Sequence, residues 1–234
     1  MYTNSDNYKT GLRSFLIVCI HPITSIRKQL ELNDICAKNR YLYETFIEQE
    51  YLDLYDAIRP DTELIDIGAS IGDTAVYFAM NPNVKKVYSY EPVPALFEIA
   101  QQNIASSPFI DKIKLFNIGL GPKHGYADFD KRYIGEEGIR ATNIRIDGYK
   151  HVEIQTLNAV LKGRENIAIK CDCEKIEEYL FDDANLDSVY VIELEYHATV
   201  NKDHILDVLA KKGFIVRITK EQHPKQGLIF AHRE

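Results

Sequence analysis

The chain has 234 residues, of which 45% are hydrophobic and 27% charged, with a formal net charge of −7. This describes an ordinary globule of one sizeable domain, and the acidic balance makes nucleic acid a poor first choice of partner. The most apolar run near the start, Phe15 to Ile20, is far too short to span a bilayer and no small-residue cleavage site follows it, so neither anchor nor leader is expected. The four cysteines, Cys19, Cys36, Cys171 and Cys173, show no C-x-x-C and no zinc spacing with the seven histidines. They read as reduced thiols, and the protein is expected to be cytoplasmic.

Residues 1–60 form an expected N-terminal helical cap, and residues 61–234 the main domain. Within the cap, Ile35, Leu42, Phe46, Tyr51, Leu54 and Ile58 fall near one helical stripe, which Arg59-Pro60 ends. The stripe predicts a helix from about 34 to 58 packed on the edge of a sheet. Tyr41, Tyr43, Phe46, Tyr51, Glu44 and Glu48 are placed where some of them could line a pocket.

Leu64, Ile65 and Ile67 then form the short apolar run of a buried parallel strand. Gly68 to Gly72 makes a tight turn, and a helix follows from Thr74 to Met80. Strand, glycine turn and helix together open a nucleotide-binding α/β unit. A second strand, Val84 to Tyr90, runs into Glu91, whose carboxylate can accept from both hydroxyls of a ribose. Charge narrows the ligand. A dinucleotide places a pyrophosphate over a G-x-G-x-x-G turn, but here Ser70 takes the middle glycine's place, and Asp66 and Asp73 flank the turn. Two acids repel phosphate and suit the ammonium and sulfonium of S-adenosylmethionine (SAM). The cofactor residues are therefore Asp66, Gly68, Ala69, Gly72, Asp73, Glu91 and Pro92. An NAD site or no cofactor is the lesser alternative.

Pro92-Val93-Pro94 opens a helix from about 95 to 105, and a third strand, Lys112 to Asn117, follows. Asn117 lies where it could meet the adenine edge, or it could simply form a turn. The stretch Ile65-Asp66-Ile67-Gly68-Ala69-Ser70-Ile71-Gly72-Asp73, with Tyr90-Glu91-Pro92-Val93-Pro94-Ala95-Leu96-Phe97, resembles the FkbM family of SAM-dependent methyltransferases. The resemblance covers roughly residues 61–200. It implies a Rossmann-like class I methyltransferase sheet, mostly parallel with an antiparallel last strand.

Tyr126 to Tyr133 and His151 to Thr156 alternate as the strands of an inserted hairpin. It would project over the C-terminal edge of the sheet, where Arg140 and Arg145 read first as solvated surface charges and second as candidates to hold an anionic substrate. A short helix is expected from Leu157 to Lys162.

Asn166 to Ile169 reads as a buried strand ending in Lys170-Cys171-Asp172-Cys173-Glu174-Lys175-Ile176-Glu177. The family pattern here is similar to K-x-D-x-E-G-x-E; Lys170, Asp172, Glu174 and Glu177 match it, and Lys175 departs from the glycine. Methyl transfer to a hydroxyl needs the acceptor oriented at the methyl carbon and its proton removed. Asp172, at the end of the central strand, is the first candidate for that work. The next strand, Ser188 to Leu194, leads into Glu195-Tyr196-His197, which makes His197 a second candidate base with Glu195 beside it. Glu174 is a candidate substrate contact. Asp172, Glu174, Glu195 and His197 are also ligand types for a divalent ion, a reading ranked below the base, and no metal site is assigned.

Asn201 caps a helix from about 202 to 212, stopped by Gly213. Two last strands, Phe214 to Ile218 and Leu228 to Ala231, are joined closely enough to pair antiparallel. The activity that the resemblance implies is SAM-dependent O-methylation of a small molecule or glycan hydroxyl. The alternative is a non-catalytic module of the same fold acting through a protein partner, and the Lys175 departure favours it. Nothing in the sequence fixes the oligomeric state.

Overall fold

The computed structural model describes residues 40–128, 151–173, 176–223 and 226–234. At its centre lies a seven-stranded sheet. Strands β1 (Thr62–Ile67), β2 (Val84–Tyr90) and β3 (Ile113–Phe116) form one half. Later in the chain come β4 (Gly119–Leu120), β5 (Gly125–Asp128), β6 (His151–Gln155), β7 (Ile167–Cys171), β8 (Val189–Tyr196), β9 (Ile215–His223) and β10 (Gln226–His232). The large sheet runs β3-β2-β1-β7-β8-β10-β9, and β4-β6-β5 make a separate three-stranded sheet. β3, β2, β1, β7 and β8 are mutually parallel, whereas β10 inserts antiparallel between β8 and β9. The expected antiparallel last strand is therefore present.

Among the described residues α1 (Leu52–Ala57) precedes β1, and five helices join later strands: α2 (Asp73–Ala79), α3 (Pro94–Ala105), α4 (Leu157–Leu161), α5 (Glu177–Leu180) and α6 (Lys202–Lys211). Side-chain alternation divides the core between the two faces of the sheet. Leu64, Ala168, Val191, Leu228 and Phe230 pack on one face with α1 and α2; Ile65, Ile67, Ile169, Ile192, Leu194 and Ile229 pack on the other with α4 and α6. Thr156 and Asn201 cap α4 and α6, each side chain accepting from the backbone N–H three residues on.

Three differences from the sequence expectation have physical causes. The helix expected from 34 to 58 is interrupted: a short helical turn at Arg40–Leu42 widens into a π-helical stretch at Tyr43–Ile47, and α1 begins only at Leu52. Gln49, with φ of 50°, turns the chain between them. Leu42, Tyr51, Leu54 and Ile58 still reach the core, since two short helical pieces bury one stripe as one long helix would. Second, β7 continues through Lys170 and Cys171, and β8 through Glu195 and Tyr196. Charged residues mimic strand ends in a sequence, but here they are buried in register. Third, β4 was not expected; its two residues pair with β6. Of the inserted hairpin, β5 and β6 pair antiparallel as expected, while Arg140 and Arg145 lie outside the described residues.

Candidate active site

Because β1, β2, β3, β7 and β8 are parallel, their carboxyl ends share one edge of the sheet, where ligands bind in open α/β folds. Those of the residues singled out from the sequence for the cofactor and the chemistry that are described gather there. The turn after β1 is tied to its neighbours by backbone: Gly68 and Ala69 N–H donate to the Tyr90 carbonyl at 3.0 and 3.1 Å, and Asp172 N–H donates to the Ile67 carbonyl at 2.9 Å. Gly68 and Gly72 have φ of 78° and 84°, in the left-handed region. Ser70 also lies there, at 47°, without being glycine, and such backbone strain concentrates at ligand-binding loops.

Beneath the turn runs a polar row across one face of the sheet. Ser89, Asp66, Lys170 and Glu193 are register neighbours on β2, β1, β7 and β8. Asp66 is fully buried and accepts from Thr74 Oγ1 at 3.1 Å and Ser89 Oγ at 3.0 Å, with Lys170 Nζ at 3.4 Å. Lys170 Nζ donates in turn to the Gly68 carbonyl at 2.8 Å. Burial works against its charge, but Asp66 first, then Asp172 and Asp73, hold the ammonium charged to well above the usual lysine range. Asp66 thus underpins the turn from below. Asp73, at the start of α2, is buried, accepts from Thr45 Oγ1 at 2.5 Å, and is pushed up to about 6 by burial.

Glu91 is buried at the end of β2. Its two oxygens accept from the backbone N–H groups of Ser70 and Val93, each at 2.8 Å, and burial pushes it up to about 8. A carboxylate has about four acceptor positions, so two remain for the hydroxyls of a ribose. Asn117 Nδ2 donates to the Glu91 and Pro92 carbonyls at 2.9 and 3.0 Å, so its amino group braces the end of β2. Gly119 packs beside Pro92: a Cβ there would sit 3.3 Å from the Pro92 ring.

At the ends of β7 and β8, Asp172, Glu195 and His197 bring one donor atom each to within 4.8 Å of the others. His197 Nε2 is 3.6 Å from Asp172 Oδ1. Glu195 accepts from Gln226 Nε2 at 2.6 Å; burial, then Asp172 and Glu50, push it up to about 8. Tyr51 forms the floor. It is buried with Lys170 Nζ 5.4 Å from its ring centroid, and its hydroxyl is held above the usual range by burial and then by Asp172, Glu195, Glu50 and Glu193. Glu174 and Lys175 lie outside the described residues. Sequence reasoning did not single out Thr45, Gln226 or Glu193 for this site, and gave Glu177 only as a family match. Their partners are 20 to 139 positions away, so no local spacing marks them.

Glu193 carries a pH consequence. One oxygen accepts from the Leu54 N–H at 3.0 Å; the other is buried with no partner among the described residues. Burial pushes the group up from 4.5 to about 8. A carboxyl raised on folding stabilises the fold fully below its unfolded value, and this contribution is lost as pH rises through the folded value. Between pH 5 and 9, the Tm of Glu193→Gln is therefore expected to gain on that of the wild type. A difference that stays constant across that range would show that Glu193 pays no burial cost on ionising.

The strand order and the edge where these groups meet define a class I methyltransferase-like fold. Residues 66–216 match the Methyltransferase FkbM domain, and the chain belongs to that family. It is similar in structure to a precorrin-6y C5,15-methyltransferase from Geobacter metallireducens, with 14% identity, 80% of this chain and 88% of that one covered, and a TM-score of 0.50. It is also similar to a putative tRNA (m1A22) methyltransferase from Streptococcus pneumoniae in complex with SAM, at 12% identity, 79% and 72% coverage and a TM-score of 0.50. Both likenesses are of fold. In sequence it is 25% identical to the AMB antimetabolite synthetase AmbE of Pseudomonas aeruginosa over 82% of this chain. The chain spans 11% of that much longer protein. Among the described residues no helix is long and apolar enough to cross a membrane.

Proposed function

We propose that the protein is a SAM-dependent O-methyltransferase acting on a hydroxyl of a small molecule or glycan. The observation that carries this reading is the convergence of Asp172, Glu195 and His197 beside the Gly68–Gly72 turn. SAM, when bound, supplies an electrophilic methyl group on a sulfonium. The donor set fits it: Glu91 keeps acceptor positions for the ribose, and the partly exposed carboxylate of Asp172 beside the turn suits a cationic ligand. Glu91 and Pro92, with the turn, would hold the nucleoside. Asp66 and Asp73 would support the turn from within.

The acceptor hydroxyl would lie against Asp172, whose side chain is 32% exposed, and His197, at 15%. Asp172 accepts its hydrogen bond and orients the oxygen. The proton leaves to the Asp172–His197 pair. No step calls on a metal. The free thiols of Cys171 and Cys173, 3.4 Å apart, support placing the protein in the reducing cytoplasm.

The test is calorimetric titration with SAM, S-adenosylhomocysteine and NAD, followed by a methyl-transfer screen across hydroxylated acceptors. Binding of SAM and its product without NAD is expected; no binding of any of them would reject the enzyme reading in favour of a partner-binding module. Glu91→Ala is expected to weaken SAM binding by about 1.5–3 kcal/mol, the scale of a charge-assisted hydrogen bond. Unchanged affinity would place the ribose elsewhere.

A further inference from the structure

Glu177 stands out among the acids of the site. It opens α5, is fully buried, and contacts no cation of a lysine or arginine among the ion pairs of the described residues. Its Oε1 lies 2.9 Å from His197 Nδ1. Its Oε2 lies 3.8 Å from Cys173 Sγ, a weak donor. A helix start offers charge compensation to any acid, but an exposed glutamate would serve that purpose. Complete burial against one imidazole nitrogen calls for another account.

We propose that Glu177 is the positioning residue that makes His197 the proton acceptor of the methyl-transfer reaction, the two forming a carboxylate–imidazole dyad. This rests on the methyltransferase reading given above. An ionised carboxylate only accepts, so the hydrogen between the two groups belongs to Nδ1. The lone pair of the neutral ring is then on Nε2, on the side of Asp172 and Glu195. As the bond from the methyl carbon to the acceptor oxygen forms and its bond to sulfur breaks, the electron pair leaving with the sulfur of S-adenosylhomocysteine, the O–H bond breaks and the proton passes to Nε2. The imidazolium so formed is held between Glu177 on Nδ1 and Asp172 near Nε2. It releases the proton to water once the product has left. Asp172, with the larger exposure of the two, is left to orient the hydroxyl.

Among the described residues, the carboxyl groups around His197 are Asp172 from the end of β7, Glu195 from β8 and Glu177 from α5, with Cys173, from the loop between β7 and α5, against Glu177. Glu50 from the N-terminal segment acts on the same cluster through Glu195. Each carboxylate beside the ring supports the imidazolium that forms, so removing one of them makes protonation harder.

The experiment pairs a spectroscopic readout with kinetics. Long-range ¹H–¹⁵N NMR of the ¹⁵N-histidine-labelled wild type, with the His197 signals assigned by their loss in His197→Gln, is expected to show the Nδ1–H tautomer. Glu177→Gln should lose that tautomer preference and lower kcat by about 10²–10⁴-fold, the scale seen when an imidazole loses its orienting carboxylate, with KM changed far less. The acid limb of its kcat–pH profile should move to lower pH. Glu177→Asp should recover part of the rate. An Nε2–H tautomer in the wild type would overturn the proposal without any variant having to fold. So would Glu177→Gln with a wild-type kcat and pH profile. If the wild type binds SAM but methylates no acceptor, the methyltransferase reading is what suffers, and the tautomer still decides for or against the dyad.

Discussion

Gly68→Ala is expected to lower the Tm by roughly 8 °C or more and to abolish SAM binding. The position has φ of 78°, and a Cβ built there would lie 1.7 Å from the Asp172 carbonyl oxygen and 2.8 Å from its carbon. A left-handed backbone costs a non-glycine residue about 1–2 kcal/mol. The larger cost is the collision, because both atoms are main chain in a loop anchored to β1 by the Asp172 N–H bond to Ile67. Relief requires the ends of β1 and β7 to part, which breaks the site's geometry as well as its packing. Losses above about 4 kcal/mol come from such named clashes, and about 2–4 °C of Tm per kcal/mol applies to a chain of this size. Gly163→Ala is the control. Gly163 has φ of 73°, but a Cβ added there would meet nothing within 4 Å, so the variant should show the backbone cost alone. Equal melting losses in the two variants would show that the Asp172 contact yields easily.

The strand–turn–helix, the position of Glu91 and the antiparallel β10 were legible because each is written in local residues: an apolar run, a pair of glycines, a short link between strands. The two acids beside the turn were also visible, since Asp66 and Asp73 are close in sequence to its glycines. What could not be read depends on distance or on burial. Lys170 and Glu195 look like strand ends by charge, yet β7 and β8 run through them, because each finds a partner across the sheet or from a packed segment. Asn117 read as a base contact or a turn residue; its amino group proves to brace Glu91 and Pro92, an interaction 25 and 26 residues back. Glu177 and His197 are 20 residues apart on different elements. Only the parallel order of β7 and β8, with α5 between them, brings them together. The break at Gln49 is equally invisible to periodicity, since both helical pieces carry the same apolar stripe.

Lys170→Met is expected to destabilise the fold by about 3–5 kcal/mol, because breaking a buried ion pair leaves one charge uncompensated in the core. The stranded charge is Asp66, which is fully buried and keeps only the Thr74 and Ser89 hydroxyls as donors. Methionine fills most of the lysine's volume, so the loss reads the charge rather than a cavity. The Gly68 carbonyl also loses its donor, which loosens the turn that the cofactor would cross. The way to separate charge from shape is the double variant Lys170→Met with Asp66→Asn. Asparagine can still accept from Thr74 or Ser89 while carrying no charge, so the double variant is expected to be more stable than Lys170→Met alone, despite one more substitution. Denaturant unfolding of the four proteins closes the cycle. Losses that simply add would mean the two side chains do not support one another, and that the turn is held by its backbone bonds to Tyr90 instead. A recovery would show why a lysine occupies the middle of a buried strand in this chain. It neutralises the acid below the glycine turn and, by the same ammonium, holds the turn's carbonyl in place.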